Sequence, residues 1–319
     1  MHERSFGGNP ASVIVLSSSP EDQALAANDA LMQKIGMEFN LSETAFCNPL
    51  PGGTESEPKY EIRWFTPATG PSVVREASRV RQMVAGLTFC HRTSISGHAT
   101  LASAHVLFTT FHPTATRITF STRKSGSLSA VRHPEDGSIS LDFPAGRLTT
   151  LEDGHRRRPK IVDAVIKVVK SKEAIKRVDW WDPMGCLIEL GSEVDLEKLE
   201  VDAGLLSNVG DLVILTQPAP VSSGFDIYSR VFAPDLGIPE DPVTGAAHTA
   251  LAPFWLSAPS ISRLPKSSAV QQTSSLKAKQ VSKRGGEMVL ALDRETGRVE
   301  LRGFAKTVMR GEIDLGGAR

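Results

Sequence analysis

The sequence predicts an α+β protein of two similar halves, and three observations carry that prediction. Short apolar or alternating segments, punctuated by Gly- and Pro-containing turns, recur along the 319 residues. Two distant segments, Gly97-His98-Ala99-Thr100-Leu101-Ala102 and Thr244-Gly245-Ala246-Ala247-His248, each put a Gly at the head of a helix of small and apolar side chains. A chain of this length exceeds one small core and fits two domains of roughly 150 residues each.

The elements follow in order. Ala11–Leu16 reads as a short buried strand after a Gly8-Asn9-Pro10 turn. Glu21–Phe39 has helical spacing, with Leu25, Leu31, Met32, Ile35 and Phe39 on one face. Ser42–Cys47 and Tyr60–Phe65 alternate as strands. The helix from Gly97 to about Phe108 is apolar almost all round, so it is expected to be buried. Strands are predicted at Arg117–Thr122, Ser127–Arg132 and Ser138–Phe143, a connection over 150–160, and a helix over Ile161–Lys170. Further strands fall near Gly185–Leu190, Asp211–Thr216 and Phe225–Ala233, ahead of the Gly245 helix. Residues 257–275, rich in Ser and Pro, read as a loop. The C-terminal stretch alternates at Leu276–Gln280, Glu287–Leu292, Arg298–Arg302 and Ala305–Ile313, which predicts antiparallel strands.

Composition narrows the function. Lys+Arg and Asp+Glu both number 36, so no global field points to nucleic acid or an anionic membrane, and short basic runs such as Arg156-Arg157-Arg158 suit solvated loops. No apolar run reaches the ~18–20 residues of a membrane helix, and the N-terminus lacks the apolar centre of a signal peptide. Cys47, Cys90 and Cys186, odd in number and widely spaced, argue against a disulfide framework or a zinc site. A cytoplasmic enzyme is the simplest class. Neither a dinucleotide fingerprint nor a phosphate-binding P-loop occurs, and no cofactor or metal is expected.

Four groups of residues could carry chemistry. Helix starts at Gly97 and Gly245 offer unpaired N–H groups and a dipole that favours an anion. Glu43, between Ser42 and Thr44, is either a desolvated general acid/base or a surface residue on an edge strand. His98 is either a donor to substrate or a packing histidine; His105 and His248, inside the helices, are expected to be core residues satisfied by a carbonyl. Asp241, followed by Pro242, either caps the second helix or faces substrate opposite Glu43.

Gly8-Asn9-Pro10, Leu41-Ser42-Glu43-Thr44-Ala45-Phe46, Arg63-Trp64-Phe65-Thr66-Pro67, Gly97-His98-Ala99-Thr100-Leu101-Ala102, Glu240-Asp241-Pro242-Val243-Thr244-Gly245 and Arg284-Gly285-Gly286 occur in that order. Together they resemble the PhzF-like isomerases of phenazine biosynthesis, which share the diaminopimelate epimerase fold. The resemblance implies two domains, here 1–125 and 126–319, each an antiparallel sheet or barrel around a central helix. It also implies an active site between them, commonly in a homodimer. By the same resemblance, Glu43 would move a proton in a cofactor-free isomerisation, as the matching glutamate does on a dihydro-hydroxyanthranilate. His98 and Asp241 would assist, and Gly97, Thr244, Gly245 and Ala246 would hold a small carboxylated substrate.

The chain departs from that pattern in four places. The strand usually preceding the Gly-Asn-Pro turn is nearly absent. Ser96 stands where many members have Cys, and Ala246 where Ser is common. The interval from Pro67 to Gly97 takes about thirty residues, with a basic, non-alternating stretch over 75–95. That stretch is expected to be either a surface loop or a translated intron, which the transcript sequence decides. Two other functions compete with the isomerase: a degenerate small-molecule-binding protein of the same fold, and a two-thiol amino-acid racemase or epimerase, for which Ser96 and Asp241 are the wrong residues.

Overall fold

A computed structural model describes residues 6–67, 96–123, 126–257, 260–264 and 274–315. The atypical stretch at 75–95, Cys90 and most of the Ser/Pro-rich segment lie outside the described residues. The first half holds β1 (Ala11–Val15), α1 (Pro20–Ala26), α2 (Asp29–Phe39), β2 (Glu43–Pro49), β3 (Lys59–Phe65), α3 (Gly97–Val106), β4 (Arg117–Thr122), β5 (Gly126–Arg132) and β6 (Ile139–Pro144). Then come β7 (Arg147–Thr150), α4 (Arg158–Val169), β8 (Ile175–Asp182), β9 (Gly185–Leu190), β10 (Leu212–Pro218), β11 (Ile227–Ala233) and β12 (Ile238–Asp241). The chain continues through α5 (Gly245–Leu256), β13 (Ser275–Gln280), β14 (Gly286–Asp293) and β15 (Arg298–Gly303).

The α+β class is as expected, but the sheet is mixed. β1 runs parallel to β2 and β3 to β4, while β2–β3, β4–β5 and β5–β6 are antiparallel. The same order repeats: β9 parallel to β10, β10 antiparallel to β11, β11 parallel to β13, then β13–β14 and β14–β15 antiparallel. Parallel neighbours cannot be joined by a hairpin; the chain must cross over. Three of those crossovers carry α-helices, α1 and α2 between β1 and β2, α3 between β3 and β4, and α5 between β11 and β13, while α4 joins the antiparallel pair β7 and β8. Alternation within one strand does not report the direction of its neighbour, so the parallel pairs were not visible in the pattern. β6 pairs antiparallel with β15, joining the two repeats into one sheet.

Both central helices sit in one apolar cluster, where Ala104, Leu107 and Phe108 meet Phe120 and Leu141 of the first repeat. Ala247, Ala250, Leu251, Leu276 and Leu290 of the second repeat continue it. Outer cores cover the far faces: α2 through Met32 and Ile35 on Phe46 and Phe65, and α4 through Ile161, Val165 and Val168 on Ile188 and Leu215.

Four local readings change. The helix predicted over Glu21–Phe39 is two helices, because Asn28 caps the second, its side chain accepting from Leu31 N at 3.0 Å. The last predicted strand, Ala305–Ile313, is irregular and largely exposed; β15 already pairs on both sides, with β14 and β6, and offers no edge. β7 and β8 were missed because their polar and charged residues mask the strand pattern. α4 starts at Arg158, inside the expected connection, with Pro159 in its first turn.

Candidate active site

The two Gly-led helices meet head to head. A Cβ built on Gly97 would lie 2.7 Å from the Cα of Gly245, and one on Gly245 would lie 2.7 Å from the Cα of Gly97. Only a pair of glycines allows backbones so close. Each helix is preceded by a hydroxyl residue of N-cap type, Ser96 and Thr244, yet neither side chain caps its helix. Ser96 Oγ donates to Glu43 Oε2, and Thr244 Oγ1 donates to Asp241 Oδ2. The first-turn N–H groups of α3 and α5 are thus left without side-chain caps at the meeting point of two positive dipole ends.

Glu43 opens β2 and is 5% exposed, so the solvent-face reading of this residue does not hold. Burial pushes its carboxyl up to about 8, against the lowering effect of the Ser96 hydrogen bond, and Asp241 adds a smaller upward push. Asp241 ends β12 and does not cap α5, since Thr244 occupies that position. Burial raises it to about 6, opposed by the Thr244 and Asn9 hydrogen bonds and helped by Glu240. His98, in the first turn of α3, is pushed down to about 4 by burial, so its ring is neutral near pH 7.

One small network joins the three. His98 Nε2 lies 3.9 Å from Glu43 Oε2 and 3.3 Å from Ser42 Oγ. Asn9 Nδ2 donates to Asp241 Oδ1 at 2.8 Å and to the Val243 carbonyl at 2.9 Å, and lies 3.4 Å from His98 Nδ1. Ser42 Oγ donates to Asn9 Oδ1. Asn9 is held in place from the second repeat: Gly8, at φ +72°, donates through N to the Gly285 carbonyl, and Arg284 Nε donates to the Gly8 carbonyl at 2.7 Å. Glu43, His98 and Asp241 therefore converge with Gly97, Thr244 and Gly245, and Ala246 follows in the first turn of α5. The Glu240 side chain makes a two-pronged ion pair with the buried Arg230, at 2.7 and 2.9 Å, while still adding a small upward push to Asp241.

Several participants were not given a role by the sequence. Asn9, Ser42 and Arg284 lie inside quoted motifs, but their partners are 32 to 277 residues away. In the sequence Ser96 stands out only because many members have Cys there, and Gln280 carries no local signal at all. His248 is the expected core histidine, with Nδ1 2.8 Å from the Thr244 carbonyl. Cys47 and Cys186 are fully buried in the strands, outside this network.

The arrangement defines an α+β protein with one buried and one half-buried carboxylate of separated acidity beside two helix starts without side-chain caps. The chain belongs to the family described as phenazine biosynthesis-like protein (PhzC-PhzF), which matches residues 2–70 and 85–311; the gap falls partly in the atypical stretch. It is 35% identical to an uncharacterized isomerase of Halalkalibacterium halodurans, over 98% of this chain and 95% of that one. It is 34% identical to phenazine biosynthesis-like domain-containing protein 1 of Mus musculus, over 97% of this chain and 94% of the relative. Among solved structures, a PhzF family protein of Enterococcus faecalis superimposes with a TM-score of 0.69 at 28% identity, covering 98% of this chain and 96% of the other. A predicted epimerase of Pseudomonas aeruginosa shares the fold, with a TM-score of 0.57 at 17% identity over 97% and 96% of the two chains.

Among the described residues no helix is long and apolar enough to cross a membrane.

Proposed function

We propose that this protein is a cofactor-independent isomerase that moves a proton on a small carboxylated substrate. The observation that carries the reading is the convergence of Glu43, His98 and Asp241 at the junction of two helix starts whose own caps are turned away. The substrate carboxylate would take the N–H groups of the first turns of α3 and α5. Near pH 7 Glu43 holds a proton and Asp241 does not, so the site contains one acid and one base. Asp241 would remove a proton from one carbon and Glu43 return one to another, with the electron pair shifting between them and no net redox change; exchange with solvent would then take the proton from Asp241 and restore one to Glu43, which resets the site. His98, neutral, would hydrogen-bond the substrate.

The test is solvent-deuterium incorporation into candidate carboxylated substrates by wild type and Glu43→Gln. Incorporation at the carbon protonated by Glu43 is expected to disappear in the variant; equal incorporation there by both removes Glu43 from the mechanism. Carboxylate binding with no exchange by wild type would favour the degenerate binding protein instead. A racemase with two thiols is disfavoured by Ser96, whose hydroxyl is committed to Glu43.

A further inference from the structure

Gln280, the last residue of β13, is fully buried, and its whole amide is spent on the turn that carries Asp241. Its Oε1 accepts the Thr244 N–H at 2.9 Å. Its Nε2 donates to the Asp241 carbonyl at 2.6 Å and to Thr244 Oγ1 at 3.3 Å. The reverse amide orientation would set oxygen against carbonyl oxygen and NH₂ against N–H, so the donor assignment follows from the partners. An NH₂ group has no acceptor capacity. Thr244 Oγ1 therefore accepts a hydrogen bond from Gln280 and donates its own to Asp241 Oδ2.

We propose that Gln280 is a positioning residue for Asp241: its amide orients the Thr244 hydroxyl so that this hydroxyl serves the Asp241 carboxylate and stays off the first turn of α5. Its importance for turnover rests on the reading of Asp241 as a proton carrier; the orientation itself does not. The other groups facing Asp241 are fixed from separate elements. Asn9 donates to Oδ1, Glu240 is ion-paired with Arg230 from β11 and still pushes Asp241 slightly upward, Glu43 comes from β2, and His98 from α3 is reached through Asn9. Beside Gln280, Lys279 reaches away to Glu197, and Arg284 is held by the Gly7 and Gly8 carbonyls.

The experiment follows the carboxyl carbon of Asp241 by NMR across pH in the full chain, its signal assigned by loss in Asp241→Asn. Thr244→Val is expected to move the Asp241 midpoint upward by about one pH unit, because an anion-stabilising donor is removed. Gln280→Met is expected to do the same, and the double variant to go no further than either single one. Thr244→Ser should keep the wild-type midpoint. If Gln280→Met does not fold, Gln280→Asn, which withdraws the amide from Thr244, is read the same way. A wild-type midpoint in the Gln280 variant, or a double-variant shift equal to the sum of the singles, overturns the proposal. No substrate is used, so this outcome is independent of whether Glu43→Gln abolishes deuterium exchange.

Discussion

Burial raises both carboxylates of the site, and hydrogen bonds help to separate them: Glu43 has one strong donor, Ser96, while Asp241 has two, Asn9 and Thr244. If the higher group acts as acid and the lower as base, activity should follow a bell with limbs near 6 and 8. Rates measured from pH 5 to 10 check this; a rate still climbing above pH 9 would reverse the assignment. Stability carries the same signature. The folded Glu43 value lies above its ordinary 4.5, so its favourable contribution is complete below about 4.5 and is lost as pH rises through about 8. Glu43→Gln should therefore match wild type near pH 4 and exceed it at pH 9 by on the order of a few kcal/mol, read by urea unfolding at both pH values. His98 and His248, held near 4, act in a different window: their contribution is lost as pH falls from about 6.5 through about 4.

The helix starts are where sequence and space agree most closely. A Gly followed by small residues announced both α3 and α5, but only packing explains why the Gly is required, since each faces the other's backbone. Gly97→Ala or Gly245→Ala should each cost about 1–3 kcal/mol by forcing the helix ends apart, and should weaken carboxylate binding in proportion. Denaturant midpoints and a carboxylate titration measure the two effects; a neutral Gly97→Ala would mean that the junction is loose. The break between α1 and α2 was not legible because apolar spacing continues across it, and Asn28 inside a helical pattern looks like an ordinary exposed residue. Asn28→Ala should lose about 1 kcal/mol of stability, the usual worth of such a cap.

At the scale of the whole molecule, β15 is the seam. It pairs with β14 of its own repeat and with β6 of the other, and Val299 and Leu301 bury into the shared core. A chain ended after Asp293 should lose cooperative unfolding, because two strand edges and a core layer open together. Calorimetry and dye binding to exposed apolar surface would show it; a retained sharp transition would make β15 an accessory strand. Arg284 ties the repeats a second time, from the β13–β14 turn to the Gly7-Gly8 backbone. The site depends on these ties, since its residues come from β2, α3, β12 and the two turns they join.

The sequence by itself determined most strand positions, the two Gly-led helices, the neutrality of the surface and the identities of Glu43, His98 and Asp241 as candidates. Those features are local: they follow from periodicity, turn chemistry and residue type within a few positions. Strand direction, the division of labour between Ser96 and Thr244, and the burial that sets Glu43 apart from Asp241 were decided by the tertiary structure. Each depends on partners brought together from distant segments, and solvation is a property of the assembled interior. Gln280 is the clearest case, for its meaning lies wholly in Asp241 and Thr244, 39 and 36 residues away.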